Sequence, residues 1–73
     1  MTIDIREKLH ASPFFPFTIY VADGREYRVA TPDHAQVSPK GGRVSIFTDD
    51  DQHVLLPALL ISGIDIDSEN ATQ

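Results

Sequence analysis

Apolar and polar side chains alternate along residues 17–21, which is the pattern of a strand with one buried face. Phe17, Ile19 and Val21 fall on that face, and the side chains between them fall on the other. The stiff Pro-Phe-Phe-Pro segment before Phe17 predicts an extended connection into the strand. The first β-strand is therefore expected at residues 17–21.

The Asp-Gly dipeptide at 23–24 predicts a hairpin into a second strand at residues 25–29. A two-residue loop would set apolar side chains opposite polar ones. A three-residue loop with Gly24 in the left-handed conformation instead sets Ile19 opposite Tyr27. We therefore predict the three-residue loop.

A short amphipathic helix is expected at residues 2–11, ahead of the first strand. Ile5 and Leu9 lie four residues apart and so share one helical face, and Thr2 can cap the first turn. The proline at position 13 ends the helix, because it disfavours helical backbone before it and lacks an N–H.

The remaining apolar runs predict further short strands, separated by Pro, Gly and Asp turns. They are expected at residues 35–38, 43–48, 53–56 and 60–66. The expected fold is mainly β within the α+β class: a short N-terminal helix followed by a five-stranded, strongly bent antiparallel sheet or a small SH3/Sm-like barrel.

A flat meander with the helix packed on one face is the alternative to the barrel. The run from Leu55 to Ile61 favours the barrel, because neighbouring residues on both of its faces are apolar and need cover on both sides. The same run could instead be partly exposed as an interface.

At 73 residues the chain is long enough for only one core, so we expect a single domain at 1–67 and a frayed polar tail at 68–73. A domain this small buries only about 60% of the surface that its unfolded chain exposes. Because cysteine is absent, disulfides and thiolate metal sites cannot add stability. We therefore expect association with another chain to supply extra stability.

Neither a secretory signal nor a membrane span is expected. The first ten residues carry four charged side chains, and the longest apolar-rich stretch is far shorter than the roughly 20 residues that cross a bilayer. We therefore expect a cytoplasmic protein with no membrane partner.

The net charge of -5 is unevenly distributed along the chain. All six Lys and Arg lie at or before Arg43, so residues 44–73 carry -6 and residues 1–43 carry +1. An acidic half repels phosphate groups instead of attracting them. Nucleic acid is therefore not the partner that the charge favours.

No motif for catalysis, metal binding or cofactor binding stands out. Asp49, Asp50, Asp51 and His53 lack the central glycine and the ligand spacing of a calcium loop, and such aspartates are typical of a solvated turn. The segment Lys40 to Arg43 contains two glycines but lacks the spacing of a phosphate-binding loop. We expect no enzymatic activity and no cofactor.

Four segments together resemble a group of short uncharacterised bacterial proteins, over nearly the whole chain. They are Ile5 to Leu9, Pro13 to Phe17, Ala22 to Arg25 and Leu59 to Ile64. The group has a helix, a Pro-Phe-x-Pro-Phe element and an Asp-Gly hairpin. The resemblance implies a bacterial source and carries no known activity.

The order of elements, a helix and then five strands with a very short break at Pro57-Ala58 before the last strand, is also similar to that of Sm-like RNA-binding barrels. This likeness is one of layout, and fold does not fix function. It implies assembly into a ring or dimer through the strands that flank Pro57.

The leading hypothesis is a non-catalytic interaction module that self-associates or docks a protein partner. An edge strand and the apolar run would form its surface, with Leu55, Leu56, Leu59 and Ile61 as the contact residues. The alternative is a small Sm-like nucleic-acid binder. Its contact residues would be Tyr20, Arg25 and Arg28, with Tyr20 and Arg28 on the wetter face of the first hairpin.

Overall fold

The computed structural model describes residues 1–67, and the tail expected at residues 68–73 lies outside that part. Its regular elements are α1 (Thr2–Leu9), β1 (Phe17–Val21), β2 (Glu26–Val29), β3 (Ala35–Val37), β4 (Arg43–Phe47), β5 (His53–Pro57) and β6 (Ile61–Ile66). Two 3-10 turns, Pro32–His34 and Ala58–Leu60, precede β3 and β6. The protein is α+β and mainly β, as predicted.

The helix α1 is shorter than the expected 2–11 and begins differently. Met1 is its N-cap and no side chain caps it, so the predicted cap at Thr2 is wrong. Ile5 and Leu9 are buried, which confirms the predicted apolar face. The helix ends before residues 10–12, which lead into the Ser12-Pro13 peptide, a cis bond.

The first sheet has the order β2-β1-β6, with all neighbours antiparallel. Ile19 lies opposite Tyr27 and Phe17 opposite Val29, which is the predicted register. Gly24 has φ of 97°, the left-handed conformation that the three-residue loop requires.

The second sheet has the order β3-β4-β5 and is again antiparallel. Thr31 caps the 3-10 turn before β3 by accepting a hydrogen bond from the Asp33 N–H over 3.2 Å, and Pro32 occupies the first position of that turn. The β4–β5 hairpin closes with Asp51 at φ of 66°, a conformation that aspartate tolerates better than most residues.

The expected five-stranded sheet is wrong in its continuity, and its count is one below the six strand segments that the sequence itself predicts and that all form strands. Residues 1–67 form six strands in two separate three-stranded sheets, and no ladder of hydrogen bonds joins the sheets within that part of the chain. The 3-10 turn at Pro32–His34 is the physical reason, because it ends the pairing of β2 with β1 before β3 starts to pair with β4.

The inward faces of the two sheets and of α1 share one apolar core. Phe14 packs against Phe17 with ring centroids 6.1 Å apart, whereas Phe15 is exposed. The seven most deeply buried large side chains come from both sheets and the helix: Ile5, Phe17, Ile19, Val29, Val44, Ile46 and Leu56. One side of each sheet is thereby filled, which leaves the opposite sides free to carry a site.

Candidate interaction surface

β5 is an edge strand of the second sheet, because β4 pairs with one of its edges and no strand in residues 1–67 pairs with the other. At the two ends of this ladder the Thr48 N–H donates to the Gln52 carbonyl and the Ala58 N–H donates to the Gly42 carbonyl, each over 2.9 Å. Antiparallel pairs alternate between bonded and non-bonded, so the even-numbered residues of β5 bond to β4. The odd-numbered residues direct their backbone polar groups to the free edge: His53, Leu55 and Pro57.

Pro57 lies at a position where a proline is compatible with a strand. Its nitrogen faces the free edge, so the N–H that proline lacks is not one that β4 needs. Prolines on free edges also limit how another strand can pair there. The strand expected at residues 53–56 is one residue longer in the structure, with Pro57 as its last residue.

The four residues expected at the interface divide between the surface and the core. Leu55 is 51% exposed and Leu59 is 96% exposed, whereas Leu56 and Ile61 are buried at 1% and 8% exposure. Leu60, which the sequence analysis did not single out, is 43% exposed. We call Leu55, Leu59 and Leu60 the exposed leucines.

The outer face of the second sheet also carries an aromatic pair. Phe47 and His53 lie opposite each other on β4 and β5, and their rings stack with centroids 4.9 Å apart and an angle of 14° between planes. Phe47 is 37% exposed. The stack adjoins Leu55 along β5 and extends the apolar surface beside the free edge.

The residues of the nucleic-acid alternative do not share one face of the first sheet. Tyr20 and Arg28 lie on its outer face, whereas the Arg25 guanidinium donates to the Tyr27 hydroxyl over 2.9 Å, on the side that packs against the core. Each of the three has an acidic neighbour. The Arg25 guanidinium pairs with Asp23 over 2.8 Å, and the Arg28 guanidinium pairs with Asp67, with its Nε 3.0 Å from the carboxylate. Tyr20 lies opposite Glu26. Both arginines are thus at least partly neutralised by a carboxylate.

The pKa values of two groups, Tyr20 and Asp23, reflect the charged neighbours of these residues. Desolvation by neighbouring groups, followed by the negative charges of Asp65 and Glu26, raises the pKa of the Tyr20 hydroxyl. The pKa of the Asp23 carboxyl is lowered, first because the Arg25 backbone N–H donates to it and then because the Arg25 guanidinium does. A negative environment of this kind disfavours a phosphate backbone.

The aspartates of the β4–β5 hairpin are engaged in turn hydrogen bonds. Asp50 accepts a hydrogen bond from the Thr48 hydroxyl, and Asp49 lies 3.1 Å from His34 Nε2. The other ring nitrogen of His34 lies 2.8 Å from the Thr31 hydroxyl, which ties the hairpin to the turn before β3. Within residues 1–67 no three His, Cys, Asp or Glu side chains are grouped so as to hold a metal ion.

A cleft of about 280 Å³ lies between α1 and β3 and is lined in part by Arg6 and His10. Arg6 is committed to the fold, because its guanidinium donates to the Ser38 carbonyl over 2.5 Å and to the Pro39 carbonyl over 3.3 Å. The cleft brings together no acid–base pair. The two hydrogen bonds of Arg6 attach α1 to the β3–β4 turn.

The fold defines a mainly β, α+β chain with two antiparallel sheets. Comparison with protein-family models, with curated proteins and with solved structures finds no match. No helix within residues 1–67 has both the length and the apolar character needed to cross a membrane.

Sequence reasoning missed the Phe47–His53 stack and the exposure of Leu60. The sequence does carry a signal for the stack. The register of the β4–β5 hairpin follows from its turn once Asp51 is placed in the left-handed conformation, and that register sets Phe47 opposite His53. No sequence signal indicates the exposure of Leu60, because a leucine in a short 3-10 turn can face either the core or solvent.

Proposed function

We propose that the chain is a non-catalytic interaction module that self-associates through the free edge of β5 and the exposed leucines. The observation that carries the proposal is the position of Leu59, 96% exposed, directly after an unpaired strand edge. A free edge presents a row of backbone donors and acceptors that another chain can pair with. Covering large apolar side chains in the same contact supplies the hydrophobic driving force.

We further propose an SH3/Sm-like arrangement of the strands. Two features support it: β6 returns to pair with β1 after a 3-10 turn, and β2 and β3 belong to different sheets although only five residues separate them. Such a layout places β5 and β6 at outer edges. We also propose a bacterial, cytoplasmic setting, in agreement with the absence of cysteine.

The nucleic-acid alternative has less support than self-association. Its two arginines are each paired with an aspartate, and no unpaired cation lies beside Tyr20 in residues 1–67. Stacking of bases would also require aromatic rings beside available positive charge.

Light scattering coupled to size-exclusion chromatography tests the proposal with a matched pair of variants. Leu59→Asp places a charge among the exposed leucines, and Ile3→Asp places the same charge on α1, where Ile3 is 69% exposed. We expect the unmodified chain and Ile3→Asp to elute as the same oligomer and Leu59→Asp to shift towards the monomer.

Two results would contradict the proposal. One is an unmodified chain that stays monomeric at the highest concentration tested. The other is a loss of assembly that is equal in the two variants, since that would place the contact elsewhere or indicate a general effect of added negative charge.

A further inference from the structure

We propose that two copies pair through β5 about a two-fold axis at Leu55, which joins the two second sheets into one six-stranded antiparallel sheet. This inference rests on the proposed self-association and specifies its geometry. Two-fold dimers are the commonest assemblies, and they require a surface that is complementary to itself. The free edge of β5 meets that requirement in its backbone, its side chains and its charges.

The backbone groups on the free edge match when β5 is rotated onto itself. Leu55 faces its own counterpart, so each Leu55 N–H can donate to the Leu55 carbonyl of the second copy. The same rotation sets His53 opposite Pro57 of the second copy. Pro57 has no N–H to donate to the His53 carbonyl, and its ring keeps the two strands apart at that pair, so the two Leu55 hydrogen bonds at the axis join the backbones.

The outward side chains also match across the seam. His53, Leu55 and Pro57 lie on the outer face of the sheet and are exposed. The axis brings Leu55 beside Leu55 of the second copy and sets the Phe47–His53 stack beside the Pro57 ring. Directly opposed side chains on paired strands contact one another, so the seam has an apolar centre at Leu55 and a His53 imidazole beside Pro57 at each end.

The charges at the two ends of the second sheet are opposite in sign. The acidic turn, Asp49 to Asp51, lies where β5 begins, and the basic turn, with Lys40 and Arg43, lies where β5 ends. Antiparallel pairing brings the acidic turn of each copy towards the basic turn of the other. Arg43 is separated from the opposing β5 by two strand spacings, roughly 10 Å, which exceeds the Debye length of about 8 Å at physiological salt and is well within the Debye length of about 30 Å at about 0.01 M salt.

Charge also favours this pairing over an antiparallel contact between β5 of one copy and β6 of another. In that contact the start of β5 would lie beside the end of β6, so the acidic turn would meet Asp65 and Asp67. Arg28 pairs with Asp67 there and offsets one of the two carboxylates. The two-fold pairing replaces this repulsion with attraction.

Single-cysteine variants test the position of the axis, because the chain has no cysteine of its own. The pairing sets the two Leu55 Cα atoms about 5.5 Å apart, a separation that a disulfide can bridge. We expect Leu55→Cys to form a cross-linked dimer on mild oxidation at a concentration where the unmodified chain is assembled. Leu59→Cys is the control, because the two positions 59 would be separated by eight residues along the strands, roughly 26 Å.

The outcomes separate this inference from the proposed function. An unmodified chain that is monomeric in sedimentation overturns both. An assembled chain in which Leu55→Cys does not cross-link, in which Leu59→Cys cross-links equally well, or which contains more than two copies overturns the two-fold pairing and leaves self-association standing.

A second pair of variants tests the charges without changing the seam. Arg43→Gln and Lys8→Gln each remove one positive charge, and neither side chain forms an ion pair within residues 1–67. At low salt we expect Arg43→Gln to raise the dissociation constant of the dimer by about three- to tenfold and Lys8→Gln to leave it nearly unchanged. Equal dissociation constants for the two variants would contradict the proposed placement of the two turns.

Discussion

Leu55 and Leu56 are adjacent on β5, with Leu55 51% exposed and Leu56 1% exposed. Truncating Leu56 removes apolar contacts and leaves a cavity, so we expect Leu56→Ala to lower the free energy of unfolding by about 2 to 5 kcal/mol. Leu55→Ala is the matched control. It should cost about 0.5 kcal/mol or less in the monomer.

Urea unfolding at low protein concentration measures both changes without the contribution of assembly. Equal losses in the two variants would mean that Leu55 is also a core residue, and the assignment of the outer face of β5 would then be wrong.

Gly24 permits the loop that sets the register of the first hairpin. A Cβ at this position meets no atom within 4 Å, so the cost of Gly24→Ala comes from its φ of 97° alone. We expect a loss of about 1 kcal/mol. Gly42→Ala is the control, because that site is equally open and no left-handed φ is involved.

Thermal unfolding followed by circular dichroism checks this pair. For a chain of this size a loss of 1 kcal/mol lowers the midpoint by about 4 to 8 °C. A midpoint for Gly24→Ala that equals or exceeds that of Gly42→Ala would show that the loop does not need a left-handed residue.

At the scale of elements, Arg6 joins α1 to the β3–β4 turn. Its guanidinium donates to the carbonyls of Ser38 and Pro39 from the partly buried side of the helix. Hydrogen bonds of charged donors contribute more than neutral ones, so we expect Arg6→Gln to cost about 1 to 2 kcal/mol. Glu7→Gln, on the exposed side of α1, should cost much less.

Amide hydrogen exchange locates the effect of Arg6→Gln. Protection in α1 should fall more than protection in β1, which lies at the centre of the first sheet. An even loss of protection across the chain would contradict a local role in attaching the helix.

The elements of the fold were predictable where local chemistry decides them. The period of Ile5 and Leu9 indicates the helix, and the Asp-Gly turn together with alternating side chains gives the register of β1 and β2. The division into two sheets was not predictable, because it depends on whether the segment around Pro32 bends one strand or ends it. That choice is made by tertiary packing.

The candidate surface was predictable only as a segment. Sequence patterns locate an apolar run at Leu55 to Ile61, but they do not separate Leu55 from Leu56 or Leu59 from Ile61. The pairing of β5 with β4 determines which side of β5 faces the core. The 3-10 turn at Ala58–Leu60 then interrupts the alternation of buried and exposed side chains before β6 begins. Both are properties of the folded chain.

At the scale of the whole molecule, the distribution of charge predicts weak affinity for nucleic acid. Net charge is -5, and Arg25 and Arg28 are each paired with an aspartate. We expect no binding of single-stranded RNA or DNA in fluorescence anisotropy at low salt, the condition that most favours phosphate contacts. Binding that weakens in Arg25→Gln and Arg28→Gln would support the alternative function.

The central claim is that this small chain covers an exposed edge and its leucines by self-association. Sedimentation equilibrium of the unmodified chain across a concentration series tests it most directly. The account predicts one discrete oligomer, a dimer, whose population rises with concentration. A single species with the mass of one chain, 8.1 kDa, at every concentration would contradict it.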